Sequence, residues 1–358
     1  MFRILITDCT YKHSIALARY LKNALPDVHL IGHTTDPVNI AKWYSCFAVT
    51  TRRINLQQAI LEQQPQMVIP VGGGSVLEVS KFCPELAVLP SSEQIEVCYD
   101  KPKTIEVASR LGVPVPKSQI VHSMGELKQN ELTFPSVVKS SREAVAFKSV
   151  EYCQDLREVK EAIGRQLARL GPETGVLVQE FIPGGGYGFF ALMEGGTPLR
   201  IFMHQRLREF PSRGGPSTAA QAFYSPRLMD LGLRLLKALA WRGVAMVEFK
   251  LDPRNGDFVL MEINGKFWGS LELALQAGVN FGADLVRLFR GERLDATDYD
   301  RDIRFYWPLD GDLLTLWKTR ELGSIRDYWQ PNAHTNLGQN LRADFWKTGR
   351  LIKQLVFG

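Results

Sequence analysis

The chain has 358 residues and a formal net charge of +5, and 45% of its residues are apolar and 23% are charged. These values are ordinary for a soluble globular protein with two or three domains and a large core. The small positive charge tolerates anionic ligands. However, no cluster of Lys and Arg alternates with aromatic residues, which argues against a nucleic-acid-binding protein.

The scattered cysteines indicate free thiols in a reducing compartment. Their number is odd, no pair has CxxC spacing and no His is adjacent, so we expect neither a disulfide framework nor a zinc site. They are Cys9, Cys46, Cys83, Cys98 and Cys153. Residues 1–8 become polar too early for a signal peptide, and no apolar run approaches the roughly 18 residues of a membrane span. We therefore expect a cytoplasmic protein.

The N-terminal segment begins with a β-α-β pattern. Residues 2–7 form a short apolar run, a polar loop follows over 8–14, and helical spacing then leads to a second apolar run over 28–32. This order implies a parallel sheet with ligand loops at the carboxyl ends of its strands. The first loop lacks the GxGxxG pattern, so a dinucleotide-binding fold has little support.

A glycine turn, the Gly-Gly-Gly-Ser run at 72–75, separates another apolar strand from a helix that begins near Val76. Glycines at such a turn let backbone amides approach an anionic group at the helix N-terminus. A tight turn without a ligand explains the same residues equally well. Residues 1–98 together indicate one doubly wound α/β unit.

Two lysines occupy noteworthy positions in the next segment. Lys101 lies at the start of a predicted helix, with Pro102 near the first helical position. Lys139 closes the apolar strand 134–139. A lysine there either extends its ammonium group into solvent or faces an anion, and the pattern leaves both interpretations open.

A strand over 175–182 then runs into a glycine-rich linker, and a basic stretch follows over 204–218. The stretch is too basic and too rich in glycine to be core. Its arginines suit recognition of a carboxylate or a phosphate. A solvated loop accounts for the same composition.

The acidic residues of a predicted hairpin are the strongest candidates for a metal site. Two apolar, β-prone runs flank a turn that contains Asn255-Gly256. Glu248 lies in the first run and Glu262 in the second, although an unpaired buried carboxylate costs several kcal/mol. Asn264 is two residues beyond Glu262 and leaves the same face of the strand. Three oxygen-bearing side chains then converge, which suits Mg²⁺ completed by phosphates and water. The alternative is a hairpin with one polar face in solvent.

In this order the parts resemble the ATP-grasp superfamily, with a clamp similar to that of carbamoyl-phosphate synthase and biotin carboxylase. The match covers about residues 1–290. The run Gln-Glu-Phe-Ile over 179–182 resembles the hinge between the two lobes, and the Glu…Glu-x-Asn ending after this hinge and the two lysines makes the match specific. The resemblance implies a mixed α/β and α+β fold. A doubly wound parallel-sheet (pre-ATP-grasp) domain over 1–98 would precede a two-lobed ATP-grasp domain over 99–290, with a lid lobe at about 115–178. A Trp-rich extension would follow over 291–358.

The resemblance also implies a role for each candidate site residue. The hinge would hydrogen-bond the adenine edge, the lysines would hold the phosphates and Tyr187 would contact the ribose, so that the ATP-binding set is Lys101, Lys139, Gln179, Glu180, Phe181, Ile182 and Tyr187. The metal ligands would be Glu248, Glu262 and Asn264, holding Mg²⁺ or, as an alternative, Mn²⁺. The catalytic candidates, which would hold the incoming carboxylate or the tetrahedral intermediate, are Arg206, Arg213 and Lys266.

The sequence departs from the family pattern in three places. The loop after Lys139 is usually glycine-rich, and here it reads Ser-Ser-Arg-Glu-Ala over 140–144, which indicates a stiffer cover or a direct role for Arg142. Gly186 stands where a carboxylate often binds the ribose. Gly265-Lys266 stands where Pro-Arg is common, so that Lys266 would supply charge without a bidentate fork.

The activity that the resemblance implies is amide bond formation. A small carboxylate would attack the γ-phosphate of ATP, and an amine would capture the acyl phosphate and release phosphate, a reaction that depends on positioning and charge neutralisation. An ATP-dependent small-molecule kinase on the same clamp, and a nucleotide-binding regulatory protein with weak turnover, stay open as alternatives. The expected partners are small carboxylates and amines, and a homodimer is compatible with the sequence.

The tail from Asp298 lies outside the resemblance. It carries four of the seven tryptophans: Trp307, Trp317, Trp329 and Trp346. Its stretch 345–357 is basic and amphipathic and could touch an anionic membrane. Packing against the catalytic body is the favoured interpretation.

Overall fold

The computed structural model describes residues 1–35, 46–52, 54–142, 150–171, 173–211 and 214–339. The candidate Arg213 and the amphipathic stretch 345–357, with Trp346, lie outside these residues. Among the described residues, no helix is both long and apolar enough to cross a bilayer.

The first sheet is parallel and confirms the predicted N-terminal α/β unit. Its strands are β1 (Phe2–Ile6), β2 (Val28–Thr34), β3 (Val49–Arg52) and β4 (Met67–Ile69). Their order across the sheet is β3-β2-β1-β4. The helices of this region are α1 (Lys12–Ala24), α2 (Leu56–Gln63), α3 (Gly73–Phe82) and α4 (Ser92–Tyr99), with a 3₁₀ turn at Pro84–Leu86. Because Ile4 and Leu5 are buried in different clusters, both faces of β1 are covered, as in doubly wound sheets.

The second sheet, the lid sheet, is antiparallel. After α5 (Lys101–Arg110) come its strands β5 (Ser118–Val121), β6 (Ser136–Ser140), β7 (Val150–Cys153) and β8 (Val176–Glu180), with α6 (Leu156–Leu170) and 3₁₀ turns at Met124–Glu126 and Gln129–Glu131. The strand order is β5-β8-β6-β7. Asp155 caps α6 by accepting the backbone N–H of Glu158, and the apolar face of α6 packs Val159 and Ile163 against Val138 of the sheet.

The third sheet, the large sheet, has seven strands. They are β9 (Gly186–Glu194), β10 (Thr197–Glu209), β11 (Ser217–Ala222), β12 (Gly243–Asp252), β13 (Asp257–Asn264), β14 (Arg304–Tyr306) and β15 (Ala333–Thr335). Their order is β13-β12-β9-β10-β11-β14-β15. The accompanying helices are α7 (Pro226–Ala238), α8 (Leu271–Gln276), α9 (Phe281–Phe289) and α10 (Asp312–Thr319), with 3₁₀ segments at Pro308–Asp310 and Leu322–Trp329.

The large sheet contains the predicted acidic hairpin and part of the C-terminal extension. Strands β12 and β13 are consecutive and antiparallel, and Gly256 in their turn has a φ of +74°. Strand β14 pairs with β11, so the chain from Arg304 is built into the same sheet as the hairpin. The domain boundaries given above stay a prediction.

Candidate functional site

A cavity of about 660 Å³ lies between the lid sheet and the large sheet and reaches the loops of the first sheet. Its wall brings together most of the predicted site residues: Lys101, Lys139, Gln179, Glu180, Phe181, Ile182, Arg206, Glu248, Glu262, Asn264 and Lys266. These residues come from distant parts of the chain, and the convergence of the lysines, the hinge and the acidic residues on one space identifies the candidate active site.

Two glutamates face each other across the hairpin and are called the acid pair below. The β12–β13 register places Glu248 directly opposite Glu262, with a bulge immediately after Glu248. Asn264 donates its Nδ2 to Oε1 of Glu262 over 2.6 Å. Burial raises the pKa of the Glu248 carboxyl, while the Arg206 guanidinium opposes the shift and the Glu262 carboxylate adds to it. A cation held between the two carboxylates would relieve this repulsion.

The donor atoms of the acid pair and Asn264 fit Mg²⁺. They are carboxylate and amide oxygens, the ligands that hard cations prefer. Within the part of the chain that the structure describes, no group of three or more His, Cys, Asp or Glu side chains could hold a metal ion by itself. The protein therefore offers a partial oxygen shell, which suits a cation that keeps water and takes substrate phosphates as further ligands.

Lys139 lines the cavity from strand β6, so the structure favours the anion-facing interpretation of this residue. Burial lowers its pKa to about 8, and the positive charge of Lys101 contributes, while Glu262 and Glu248 oppose the shift. Lys101 is held at the start of α5, where its backbone N–H donates to the Ser141 carbonyl over 2.9 Å. Two ammonium groups thus share one end of the cavity with the acid pair, an arrangement suited to phosphates.

Arg142 also lines the cavity, but its guanidinium already has carboxylate partners. It donates to Glu96 over 2.6 Å and to Asp100 over 3.4 Å. These contacts tie the end of β6 to α4 and to the start of α5. Of the predicted phosphate cover over 140–144, residues 143 and 144 lie outside the described residues.

The hinge is braced from the large sheet. The Glu180 carboxylate accepts from Arg254 over 2.8 Å and from the backbone N–H of Lys117 over 3.3 Å. Lys250 donates its Nζ to the Ile182 carbonyl over 3.1 Å, and this Nζ lies 5.0 Å from the centre of the Phe181 ring. Sequence reasoning missed Lys250, although its position two residues after Glu248 predicts the same strand face.

Tyr187 does not line the cavity, and the structure does not support the predicted ribose contact. Its ring packs against Phe223, with centroids 4.9 Å apart, and against Phe258, at 5.2 Å. Tyr187 is buried in the core on the opposite face of β9 from Gly186, because alternate residues of a strand point to opposite faces. A Cβ on Gly186 would lie 2.8 Å from Cδ of Arg206, so Arg206 fills the space beside this glycine.

The catalytic candidates are separated within the cavity. Arg206 donates Nη2 to Oε2 of Glu248 over 2.5 Å and Nη1 to Oε2 of Glu209 over 3.5 Å, so it faces the acid pair. Lys266 lies at the other end, where its Nζ is 3.5 Å from the position of the Cβ that Gly73 lacks. Lys266 is therefore the better placed of the two to meet a substrate near the first sheet.

The glycine turn binds an anion that belongs to the protein itself. The backbone N–H of Gly72 donates to Oδ2 of Asp8 over 2.7 Å, and the Ser75 hydroxyl donates to the same oxygen over 2.8 Å. The structure thus accounts for the glycines without an external ligand. Nearby, Tyr11 and His13 line the cavity, and burial lowers the pKa of His13 to about 3, with contributions from the charges of Lys12 and Lys266.

Sequence reasoning did not single out several residues at this end of the cavity. Tyr11 and His13 belong to the polar loop after β1, whose position alone marked it as a ligand loop, and Trp268 follows Lys266 by two residues. No local pattern distinguishes these side chains from ordinary loop or core residues. Their role becomes visible only when the sheets are assembled.

Comparisons with known proteins agree with this geometry. No protein-family model matches the chain. It is 24% identical over 373 residues to the D-aspartate ligase of Enterococcus faecium (strain Aus0004), covering 95% of this chain and 84% of that protein. The L-amino acid ligase of Bacillus licheniformis superposes with a TM-score of 0.67 at 16% identity, covering 85% of this chain and 79% of that one. The chain has the ATP-grasp fold.

A second solved structure supports the same assignment. The biotin carboxylase domain of 2-oxoglutarate carboxylase from Hydrogenobacter thermophilus, solved with MgADP and bicarbonate, gives a TM-score of 0.67 at 17% identity over 84% of this chain and 73% of that one. The ATP-grasp resemblance and the mixed α/β fold class predicted from the sequence are confirmed. The lid sheet and the large sheet lie on opposite sides of the candidate site.

Proposed function

We propose that the protein is an ATP- and Mg²⁺-dependent ligase that joins a small carboxylate to an amine, releasing ADP and phosphate. One observation carries this proposal: a single cavity holds a nucleotide-type end and a second, cationic end. The nucleotide end has the hinge, Lys101, Lys139 and the acid pair, and the other end has Lys266. A ligase needs both, because the reacting carboxylate must meet the γ-phosphate inside one enclosed space.

At the nucleotide end, the lysines, the hinge and the metal ligands would each contact a different part of ATP. The ammonium groups of Lys101 and Lys139 would pair with phosphate oxygens, and the hinge backbone would face the adenine. Glu248, Glu262 and Asn264 would hold Mg²⁺, which when bound offsets the negative charge that accumulates on the phosphates. Lys139 is half-buried in the cavity wall, so its charge would be screened less than that of a surface lysine.

At the other end, Lys266 would hold the carboxylate so that one oxygen attacks the γ-phosphorus. The bond to the β–γ bridging oxygen then breaks, ADP leaves and an acyl phosphate remains. The amine nitrogen attacks the acyl carbon, the C–O bond to phosphate breaks, and the nitrogen loses a proton. His13, kept neutral by its low pKa, adds no positive charge to repel an incoming ammonium group.

We propose an amino acid as the first substrate to test, because the relatives named above are a D-aspartate ligase and an L-amino acid ligase. The predicted cytoplasmic location, the homodimer and the use of Mn²⁺ stay predictions. Among the residues that the structure describes, no contact favours the kinase or the regulatory protein over the ligase.

The test is a screen of D- and L-amino acids, in pairs and singly, for phosphate release from ATP in the presence of Mg²⁺, with mass spectrometry of the products. We expect ADP, phosphate and an amide with a matched pair, and no release by a Glu262→Gln variant. A stable phosphorylated product would identify a kinase instead. Nucleotide binding with no turnover for any pair would favour the regulatory protein.

A further inference from the structure

Arg206 reaches a predicted metal ligand that lies two strands away. It belongs to β10 and Glu248 belongs to β12, with β9 between them, a separation of about 10 Å across the sheet. Its Nη2 nevertheless donates to Oε2 of Glu248 over 2.5 Å. Only 11% of the Arg206 side chain is exposed, and its Nε is buried without a hydrogen-bond partner in the structure. Burying a polar nitrogen without a hydrogen-bond partner costs free energy, so we expect the position of Arg206 to serve a geometric or functional role.

One glycine leaves room for this side chain. Gly186 lies on β9, the strand between Arg206 and Glu248, and pairs with Lys250 of β12. At Gly186 an added Cβ would lie 2.8 Å from Cδ of Arg206. Any side chain at this position would therefore push the arginine stem aside and break its contact with Glu248.

A second carboxylate fixes the other side of the guanidinium. Nη1 of Arg206 lies 3.5 Å from Oε2 of Glu209, which follows on the same strand. Glu209 in turn accepts the backbone N–H of Gly214 over 2.8 Å. The guanidinium is thus anchored at one end and directs the other end at a single oxygen of Glu248.

We propose that Arg206 is a positioning residue that holds the Glu248 carboxylate in the orientation required to bind the divalent cation. The inference rests on the metal site of the proposed function, but not on the identity of the substrates. Arg206 engages Oε2 and leaves Oε1 of Glu248 for the cation. It also prevents Glu248 from turning away from Glu262, which repels it from directly across the hairpin. Partners of this kind typically change metal affinity by about 10- to 100-fold.

The test measures Mn²⁺ binding to the ADP-bound full chain by the loss of the free-ion electron paramagnetic resonance signal. We expect Arg206→Gln to weaken Mn²⁺ binding by about 10- to 100-fold. ADP affinity without metal should stay close to that of the unaltered protein, because Arg206 makes its hydrogen bonds within the described residues to two carboxylates, those of Glu248 and Glu209. Arg206→Lys, which keeps the charge on a shorter side chain without the planar fork, should recover part of the loss.

Gly186→Ala distinguishes the position of the Arg206 guanidinium from its charge, because the variant keeps Arg206 but displaces the aliphatic part of its side chain. It should weaken Mn²⁺ binding as well, and its backbone has no positive φ that would itself disfavour alanine. Arg208→Gln is the matched control, because Arg208 lies on the same strand and donates to a buried carboxylate, Asp312, away from the acid pair. It should lower the melting temperature and leave Mn²⁺ affinity unchanged.

Unchanged or tighter Mn²⁺ binding by folded Arg206→Gln would overturn the proposal, since tighter binding would make Arg206 a competing cation. An equal loss in Arg208→Gln would also overturn it, because the effect would then reflect general destabilisation. These results are independent of the amino-acid screen. A protein that binds Mn²⁺ and ADP as described, yet forms no amide, would refute the ligase and leave the role of Arg206 intact.

Discussion

The lowered pKa of Lys139 should make nucleotide binding at the proposed site sensitive to pH. Burial and the charge of Lys101 lower this pKa to about 8. The ammonium form therefore dominates below that pH and is lost as the pH rises through it, and a bound phosphate would favour the ammonium form again. If only this form binds phosphate, the ADP dissociation constant should rise about tenfold from about pH 7 to about pH 9, or about 1.4 kcal/mol.

Isothermal titration calorimetry with ADP, in buffers of different ionisation enthalpy, measures both the affinity and the proton uptake. At about pH 9 we expect most binding events to take up one proton on the protein, since Lys139 is largely neutral before the phosphate arrives. Lys139→Arg should remove the uptake, because the guanidinium stays charged throughout this range. Lys250→Met is the control, since burial also lowers the pKa of Lys250, but this lysine binds the hinge carbonyl. A full pH slope in Lys139→Arg would refute the assignment.

Three further substitutions test the structure at separate points. Glu262→Gln should abolish ATP turnover while circular dichroism and melting temperature stay close to those of the unaltered protein; turnover near the original rate would contradict the metal assignment. Asp312→Ala should lower the free energy of unfolding in urea by about 3–5 kcal/mol, because it leaves the Arg208 guanidinium buried without its bidentate partner. Gly184→Ala should lower the free energy of unfolding by about 1–3 kcal/mol in the same assay. Gly184 has a φ of +131°, and an added Cβ would lie 2.1 Å from the Leu251 carbonyl oxygen. A loss below about 0.5 kcal/mol would contradict the local geometry.

The turn and the strands of the acidic hairpin could be predicted from the sequence because their signals are local. Asn255-Gly256 marks the turn, and strand alternation places Glu262 and Asn264 on one face. The register set by the turn, in which Phe249 pairs with Leu260, would place Glu248 opposite Met261. A bulge shifts the register and brings Glu262 opposite Glu248 instead, and no local signal in the sequence marks that bulge.

Tyr187 shows where such local reasoning fails. Gly186 stands where the resemblance implies a carboxylate that binds the ribose, and the adjacent polar residue Tyr187 is the predicted substitute. Strand β9, however, is buried on both faces. Its odd-numbered residues from Tyr187 to Met193 belong to one hydrophobic cluster, whereas Gly186 and Gly188 lie on the opposite face. The leucines of α7 pack on the face of β9 that carries Tyr187, and this contact between distant segments is not visible in the local sequence.

The rest of the wall around Lys266 could not be predicted for a related reason. This wall combines Tyr11 and His13, at the start of α1, with Lys266 and Trp268 from the loop after β13, and more than 250 positions of sequence separate the two pairs. Only the docking of the first sheet against the large sheet brings them together. The same docking buries His13 between cationic neighbours and lowers its pKa, so the electrostatic character of this end is also a product of assembly.

The glycine turn shows how a strong local signal can have an internal explanation. The Gly72 amide does meet a carboxylate, which is one of the two interpretations that the sequence left open, but the carboxylate is that of Asp8, just after β1. Because Asp8 already uses the Gly72 amide and the Ser75 hydroxyl, a substrate anion at this edge of the cavity would rely on Lys266 instead. We therefore expect Lys266, beside a turn whose first amide is occupied, to supply the positive charge for which the resemblance implies an arginine. This arrangement suits a small carboxylate held by one point charge better than a group that needs a bidentate fork.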